Sequence, residues 1–273
     1  MDCGKWFSIG DSVPSKAKIL IFDIETAQMQ TKVWSLKHNN FIQPHRIVKD
    51  WFMLCWTAKW LYSNEIMGEC VTPKEAKKRD DKRIVVPMWK LLEEADIVVG
   101  HNVKNFDLRK LNARFLDHGF TSPPLSYVII DTLLQSRGTF DYSSHKLDYI
   151  TKFLKLPHKL DTNIGLWDDC EDGNQEALDR MFEYCGNDVK INEEVYLLER
   201  AWMKNHPNIP LYGDLTEMRC PYCNSTKLTQ QGHYVTPMNK YNTYRCECGA
   251  ISRARTAKLS PDKRKNLIRS VAR

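Results

Sequence analysis

The stretch ILIFDIET (19–26) sets the strongest constraint on what this chain can fold into. Its first four residues are apolar and predict a buried strand over about Lys18–Ile24, yet Asp23 and Glu25 follow at once. Side chains two apart on a strand share a face, so both carboxylates crowd one side of the strand's end. A charge is costly to bury without a partner, and a like-charged neighbour adds to the cost. A fold that buries this strand must therefore bring positive charge to its end.

The rest of the first 210 residues alternates strand and helix signals. WFMLCWTAKWL (51–61) and about Glu65–Val71 predict two strands joined by a hairpin turn at Tyr62–Asn64. KEAKKRDDKR (74–83) reads as a solvated connection or helix face, and Pro87 as the first turn of a helix through Ala95, with Trp89 and Leu92 on one face. IVVG (97–100) and YVIID (127–131) are further strands. NFDLRKLNARFLDHG (105–119) and KLDYITKFL (146–154) are amphipathic helices, the former stopped by Gly119. Asp161–Gly173 reads as a loop. This alternation implies an α/β sheet with helices on its faces.

A long helix is expected from about Gln175 to Lys204. Met181, Tyr184, Asp188, Ile191, Val195, Leu198 and Trp202 follow a three-four rhythm, a single stripe facing the core. Asp188 fills a slot in that stripe where an apolar residue belongs, with Tyr184 one turn before it. Asp107, in the first turn of its own helix, is a third acidic anomaly. Each has an ordinary reading: a strand-end Asp caps a turn, a stripe-edge Asp reaches water, and a first-turn Asp complements the helix dipole. Jointly these ordinary readings fare worse, because all three elements can converge at one end of the sheet. Four carboxylates in one place need cations, and oxygen-only ligands favour Mg²⁺ or Mn²⁺. Two such ions about 3.5–4 Å apart can clamp the attacking and leaving oxygens of a phosphodiester.

FDIET (22–26), GHNVKNFD (100–107) and YCGND (184–188) resemble the three motifs of the DEDDy branch of ribonuclease H-like 3′→5′ exonucleases. The resemblance is closest to the proofreading domains of family-B DNA polymerases. IIDTLL (129–134), HKLDYITKFL (145–154) and DVKINEEVYLLERAW (188–202) agree in order and type, so that it extends over about residues 17–210. It implies a mixed β-sheet flanked by helices. It also implies that Asp23, Glu25 and Asp188 hold the metal that activates water, and that Asp23 and Asp107 hold a second. Tyr184 would orient the attacking water, since a tyrosine near pKa 10 is a poor base at neutral pH. Thr26, Asn102 and Phe106 would contact the terminal nucleotides, or else cap a turn, bridge loop backbone and fill core. His101 and His145 stay unassigned, as a lone histidine is more often structural.

Nine cysteines divide into a late cluster, Cys220, Cys223, Cys246 and Cys248, and five scattered ones: Cys3, Cys55, Cys70, Cys170 and Cys185. That distribution points to a metal site in a reducing compartment and not to a disulfide framework. CPYC (220–223) and CEC (246–248) predict tetrahedral Zn²⁺ on a small β ribbon. CECG is one residue shorter than the usual Cys-x-x-Cys-Gly, which leaves His233 open as a substitute ligand. From Leu211 to Arg273 there are 12 Lys and Arg against 4 Asp and Glu, whereas the first 210 residues hold 28 against 30. A basic tail on a near-neutral body suits a polyanion such as nucleic acid. Lys227, Lys240, Arg245, Arg253 and Arg255 can meet phosphates, and Tyr234, Tyr241 and Tyr244 can stack on bases or fill the ribbon's core. The chain from Arg253 onward reads as a flexible arm.

The combination of nuclease motifs and zinc ribbon is similar to small stand-alone bacteriophage exonucleases. The expectation is therefore a ribonuclease H-like exonuclease domain over 1–210 and a zinc ribbon with basic tail over 211–273. Two Mg²⁺ or Mn²⁺ ions and one structural Zn²⁺ would be its cofactors, and single-stranded 3′ ends, DNA first, its partner. A replication or recombination protein would be a second partner. No secretory signal or membrane span is expected, which points to the cytoplasm, the host's if the source is viral. Two rivals remain: a ribonuclease or structure-specific nuclease on the same fold, and a non-catalytic nucleic-acid-binding module.

Overall fold

A computed structural model describes residues 17–35, 41–158 and 160–271; Cys3 lies outside the described residues. In chain order the elements are β1 (Ile19–Thr26), β2 (Gln30–Thr31), β3 (Ile47–Lys49), β4 (Met53–Trp60), β5 (Met67–Cys70), α1 (Pro73–Lys78), α2 (Lys82–Glu94), β6 (Ile97–Gly100), α3 (Asp107–Asp117), β7 (Val128–Asp131), α4 (Thr132–Thr139), α5 (Leu147–Phe153), α6 (Gly165–Glu171), α7 (Gln175–Glu199), β8 (Leu228–Thr236), β9 (Asn239–Cys246), β10 (Ile251–Arg253) and α8 (Pro261–Arg264). Lys18–Tyr196 form one compact unit, and the chain from Leu197 onward belongs to a second. No described helix is long and apolar enough to cross a membrane.

The first unit is built on a five-stranded mixed sheet in the order β5-β4-β1-β6-β7. β1 pairs antiparallel with β4 and parallel with β6, so it lies at the centre, which its apolar run requires. Leu20, Phe22 and Ile24 pack with Ile84, Val85, Met88 and Leu92 of α2 and Leu108, Leu111 and Phe115 of α3. The strand runs two residues past the sequence expectation, to Thr26, so Asp23 and Glu25 both sit within the β1–β4 ladder opposite Thr57 and Cys55.

α7 lies across β4 and β5. The Thr57 hydroxyl donates to Cys185 Sγ (3.2 Å), and Lys59 forms a buried ion pair with Glu193. Gly68 permits this approach: a Cβ there would stand 2.5 Å from the Trp56 carbonyl oxygen and 2.8 Å from the Phe182 ring. The expected stripe is buried at Met181, Tyr184, Asp188, Ile191 and Val195, but Trp202 is 68% exposed, because the helix gives way to a 3-10 turn at Arg200–Trp202.

Three other expectations need correction. α2 begins at Lys82, so Pro87 lies inside it. Asp81 just before the helix is fully buried, accepting from the Met53 N–H and Arg114 Nε (both 2.7 Å), and this long-range anchor sets the start. The charge run 74–83 is thus not wholly solvated. Residues expected to form a loop at 161–173 contain α6, whose Leu166 and Cys170 reach the core. Cys55 and Cys70 are disulfide-bonded, against the expectation of scattered thiols: they sit directly opposite each other in the β4–β5 ladder.

The second unit centres on a three-stranded antiparallel sheet, β10-β9-β8. Arg253 closes β10, and the Lys258 N–H donates to the Lys240 carbonyl (2.7 Å), so the expected flexible arm is bound to the sheet at least as far as Lys258.

Candidate active site

Asp23, Glu25 and Asp188 offer carboxylate oxygens that all lie within 4.8 Å of one another. β1 supplies the first two from one face, and α7 lowers Asp188, 5% exposed, onto them. The Cys185 thiol backs the group, donating to the Asp23 carbonyl (3.4 Å); burial, then the charges of Asp23 and Glu25, hold that thiol well above its usual pKa. Three carboxylates at this spacing repel one another unless protonated or bridged by a cation. With no nitrogen or sulfur ligand in the group, the donor set fits a hard divalent ion such as Mg²⁺ or Mn²⁺.

Asp107 stands beside this group without joining it. β6 ends at Gly100, which leaves the Ile24 N–H on that side of β1 without a strand partner, and Asp107 Oδ1 accepts it at 3.2 Å. Burial pushes the Asp107 carboxyl up to about 7, with the charge of Asp131 adding to the effect. Asp131 is itself buried and accepts from the backbone N–H groups of Asn102 (3.1 Å) and Lys104 (3.0 Å), which fixes the 101–106 loop. Asn102 takes a left-handed conformation there (φ 66°).

Tyr184 is buried one helical turn before Asp188, edge-on to Trp167 with ring centroids 5.8 Å apart. His101 contacts the Thr132 hydroxyl (3.0 Å) and the His145 carbonyl (2.9 Å), and His145 Nδ1 contacts the Ser136 hydroxyl (2.9 Å).

Thr26 lines an open cleft of about 470 Å³, together with Met29, Trp51, Lys110, Ile164 and Trp167. Arg79 braces its walls, donating to the carbonyls of Asp50 (3.0 Å) and Gln28 (3.0 Å) and pairing with Glu171 (2.6 Å). The Lys110 ammonium sits 3.9 Å from the Trp51 ring centroid and 5.1 Å from that of Phe106, which is 38% exposed. Of the substrate contacts expected from sequence, Thr26 lines this cleft and Phe106 lies beside Lys110; Trp51, Lys110 and Trp167, which line it too, arrive from separate segments and share no motif.

In the second unit the thiols of Cys220, Cys223, Cys246 and Cys248 all lie within 4.8 Å of one another. Two of the separations are 3.7 Å (Cys220–Cys248) and 3.5 Å (Cys223–Cys246), against edges of about 3.8 Å for a tetrahedron with Zn–S near 2.3 Å. Hydrogen bonds from Cys220 and Cys223 lower the pKa of the Cys248 thiol, as thiols packed at this spacing favour an ionised sulfur among them. The short CEC spacing is accommodated by a tight turn in which the Gly249 N–H donates to the Cys246 carbonyl (3.0 Å), with Gly249 at φ 87°. His233 is exposed on β8 beside Lys258 (2.8 Å) and outside this group, so the sulfur set is complete without it. Four soft donors fit Zn²⁺.

No curated protein matches the sequence. Among solved structures, a family B DNA polymerase from the hyperthermophilic archaeon Pyrobaculum calidifontis is similar over 70% of this chain and 26% of its own, at 14% identity and a TM-score of 0.47. A profile of the RNase H superfamily matches residues 60–198, just over half of the chain, and takes in Asp107, Tyr184 and Asp188. The five-stranded mixed sheet with its flanking helices is ribonuclease H-like, and this chain belongs to the RNase H superfamily.

Proposed function

We propose that the chain is a divalent-metal-dependent 3′→5′ exonuclease of the DEDDy type, acting on single-stranded DNA ends and carrying a zinc ribbon. The observation that carries this reading is the convergence of Asp23, Glu25 and Asp188 from β1 and α7 in an RNase H superfamily chain. The exonuclease domain would span 1–210 and the ribbon with its basic tail 211–273, in the cytoplasm, with a replication or recombination protein as a second partner.

Asp23, Glu25 and Asp188 would hold one cation, and Asp23 with Asp107 a second. When bound, the two ions lower the pKa of water and neutralise charge at the attacking and leaving oxygens. Tyr184 orients the attacking water through its hydroxyl. The terminal nucleotide lies in the cleft beside Thr26, with Trp51 and Trp167 offering ring surface and Lys110 a cation for phosphate. Asn102 and Phe106 hold the nucleotides next in line. Attack is in line at the terminal phosphodiester: the bond to the 3′-oxygen of the penultimate nucleotide breaks, and a nucleoside 5′-monophosphate leaves.

The test uses 5′-labelled single-stranded DNA and RNA of matched sequence with Mg²⁺, on a denaturing gel, beside Asp188→Asn. A descending ladder that the variant loses is expected, with the better substrate identifying the sugar. Internal fragments would indicate an endonuclease. Intact substrate that still shifts on a native gel would indicate a binding module and overturn the reading.

A further inference from the structure

The ribbon sheet has two faces of different chemistry. Residues opposite one another in a ladder share a face, and the register places Tyr234 opposite Tyr241 and Arg253 opposite Thr243. Tyr234, Tyr241 and Arg253 therefore lie together, while Tyr244, three strand positions after Tyr241 and so out of phase with it, lies on the other face with His233 and Lys240. Contacts agree: the Arg253 guanidinium sits 4.3 Å from the Tyr241 ring centroid and 5.5 Å from that of Tyr234. Tyr234 is 50% exposed and Arg253 is exposed too, so the trio is a surface and not the core of the ribbon. Arg245 extends the same face along β9, bonded to the Gln231 side chain (2.7 Å).

We propose that this face is a stacking platform for unpaired bases, so that single-stranded nucleic acid is held by the ribbon sheet as well as by the nuclease site. The proposal rests on the reading above only for the class of ligand. The half-exposed Tyr234 ring and the exposed Arg253 guanidinium, which lies over the neighbouring Tyr241 ring, offer π surface of the kind that unpaired bases cover and paired bases do not. Charge selects the same occupant: β8, β9 and β10 contain no acidic residue, and residues 211–273 hold 12 Lys and Arg against 4 Asp and Glu. Duplex DNA would satisfy the charge but leave the rings uncovered, and an acidic peptide would do the same. The structure thus separates Tyr234 and Tyr241, which stack, from Tyr244, which does not.

The experiment measures binding of the full chain to fluorescein-labelled oligo(dT) by anisotropy, in buffer without divalent cations or chelator. Zinc then stays bound and no cleavage is needed. Tyr234→Ala is expected to weaken binding roughly 5- to 100-fold, the range for one lost base stack. Tyr234→Phe should bind as the parent does, and Val235→Ala, on the opposite face, should bind unchanged. Arg253→Gln should weaken binding and flatten its salt dependence by about one counterion. Zinc content and melting temperature matched to the parent show that the variants fold. Affinity unaltered in both Tyr234→Ala and Arg253→Gln overturns the proposal, as does unlabelled duplex or poly-glutamate competing as well as unlabelled oligo(dT). Because binding is read without turnover, a failed platform and a failed nuclease assignment give different results: the first leaves the cleavage ladder in place, and the second leaves the anisotropy response in place.

Discussion

Removing the Asp107 carboxylate should make the metal-free protein more stable while abolishing its activity. The side chain is 2% exposed, and burial holds its carboxyl near 7 against 3.8 for an ordinary aspartate. Below about pH 3.8 the group is protonated in both folded and unfolded chains and contributes no pH dependence. As pH rises from there, the unfolded chain releases the proton while the folded chain retains it, so unfolding is progressively favoured. The loss levels off above about pH 7, once the folded state ionises too. At 1.36 kcal/mol per pKa unit, the whole window amounts to roughly 4 kcal/mol. Asp107→Asn keeps an oxygen to accept the Ile24 N–H and cannot ionise. Urea unfolding of parent and variant, both stripped of divalent ions, should show the variant gaining on the parent by about 4 kcal/mol between pH 4 and pH 8. Adding Mg²⁺ should stabilise the parent more than the variant, which keeps Asp23, Glu25 and Asp188 but lacks the Asp107 carboxylate. A stability difference that does not move with pH would mean that water reaches Asp107 and that its burial does not perturb it.

Three further outcomes are expected. Reducing the Cys55–Cys70 bond, which closes a span of 15 residues, should cost about 3 kcal/mol and lower the melting temperature by several degrees; thiol titration in denaturant should find two more reactive thiols after reduction, and equal counts before and after would refute the bond. Glu193→Ala, which strands the buried Lys59 ammonium and the Tyr62 N–H, should destabilise by about 3–5 kcal/mol, whereas Lys59→Met with Glu193→Leu should come close to the parent. Cys248→Ser should lower zinc content measured on the purified protein from near one equivalent, while His233→Ala leaves it unchanged.

Local periodicity reported the strands and helices whose hydrophobic pattern is set by their own residues. β6 matches its expectation in full, and α3 and β7 lie within the spans expected for them, because Leu108, Leu111 and Phe115 or a run of β-branched residues are pattern enough. Errors came where a distant partner decides. α2 starts at Lys82 because Asp81 is held by Arg114 and Met53, neither of which is near it in sequence. α6 is short and acidic, with a burial pattern visible only once Leu166 and Cys170 meet the core. The disulfide depends on strand register, which no count of cysteines contains. At the site, Asp23, Glu25 and Asp188 were legible because a carboxylate in an apolar pattern is conspicuous. The cleft was not, because aromatic residues such as Trp51 and Trp167 look like any other core residue until the folded chain leaves them facing a void.

Gly68 carries a consequence of its own. The distance between Asp188 and the β1 carboxylates depends on how closely α7 rests on the sheet, and that closeness depends on a residue with no side chain. A methyl group at position 68 would press on the Trp56 carbonyl of β4 and on the Phe182 ring of α7, so the strand, the ring or the helix that carries Asp188 must give way, although the methyl touches no carboxylate. Loss-of-activity screens should therefore recover Gly68 alongside the acidic residues, as a spacer whose size sets the dimensions of the ion-binding group.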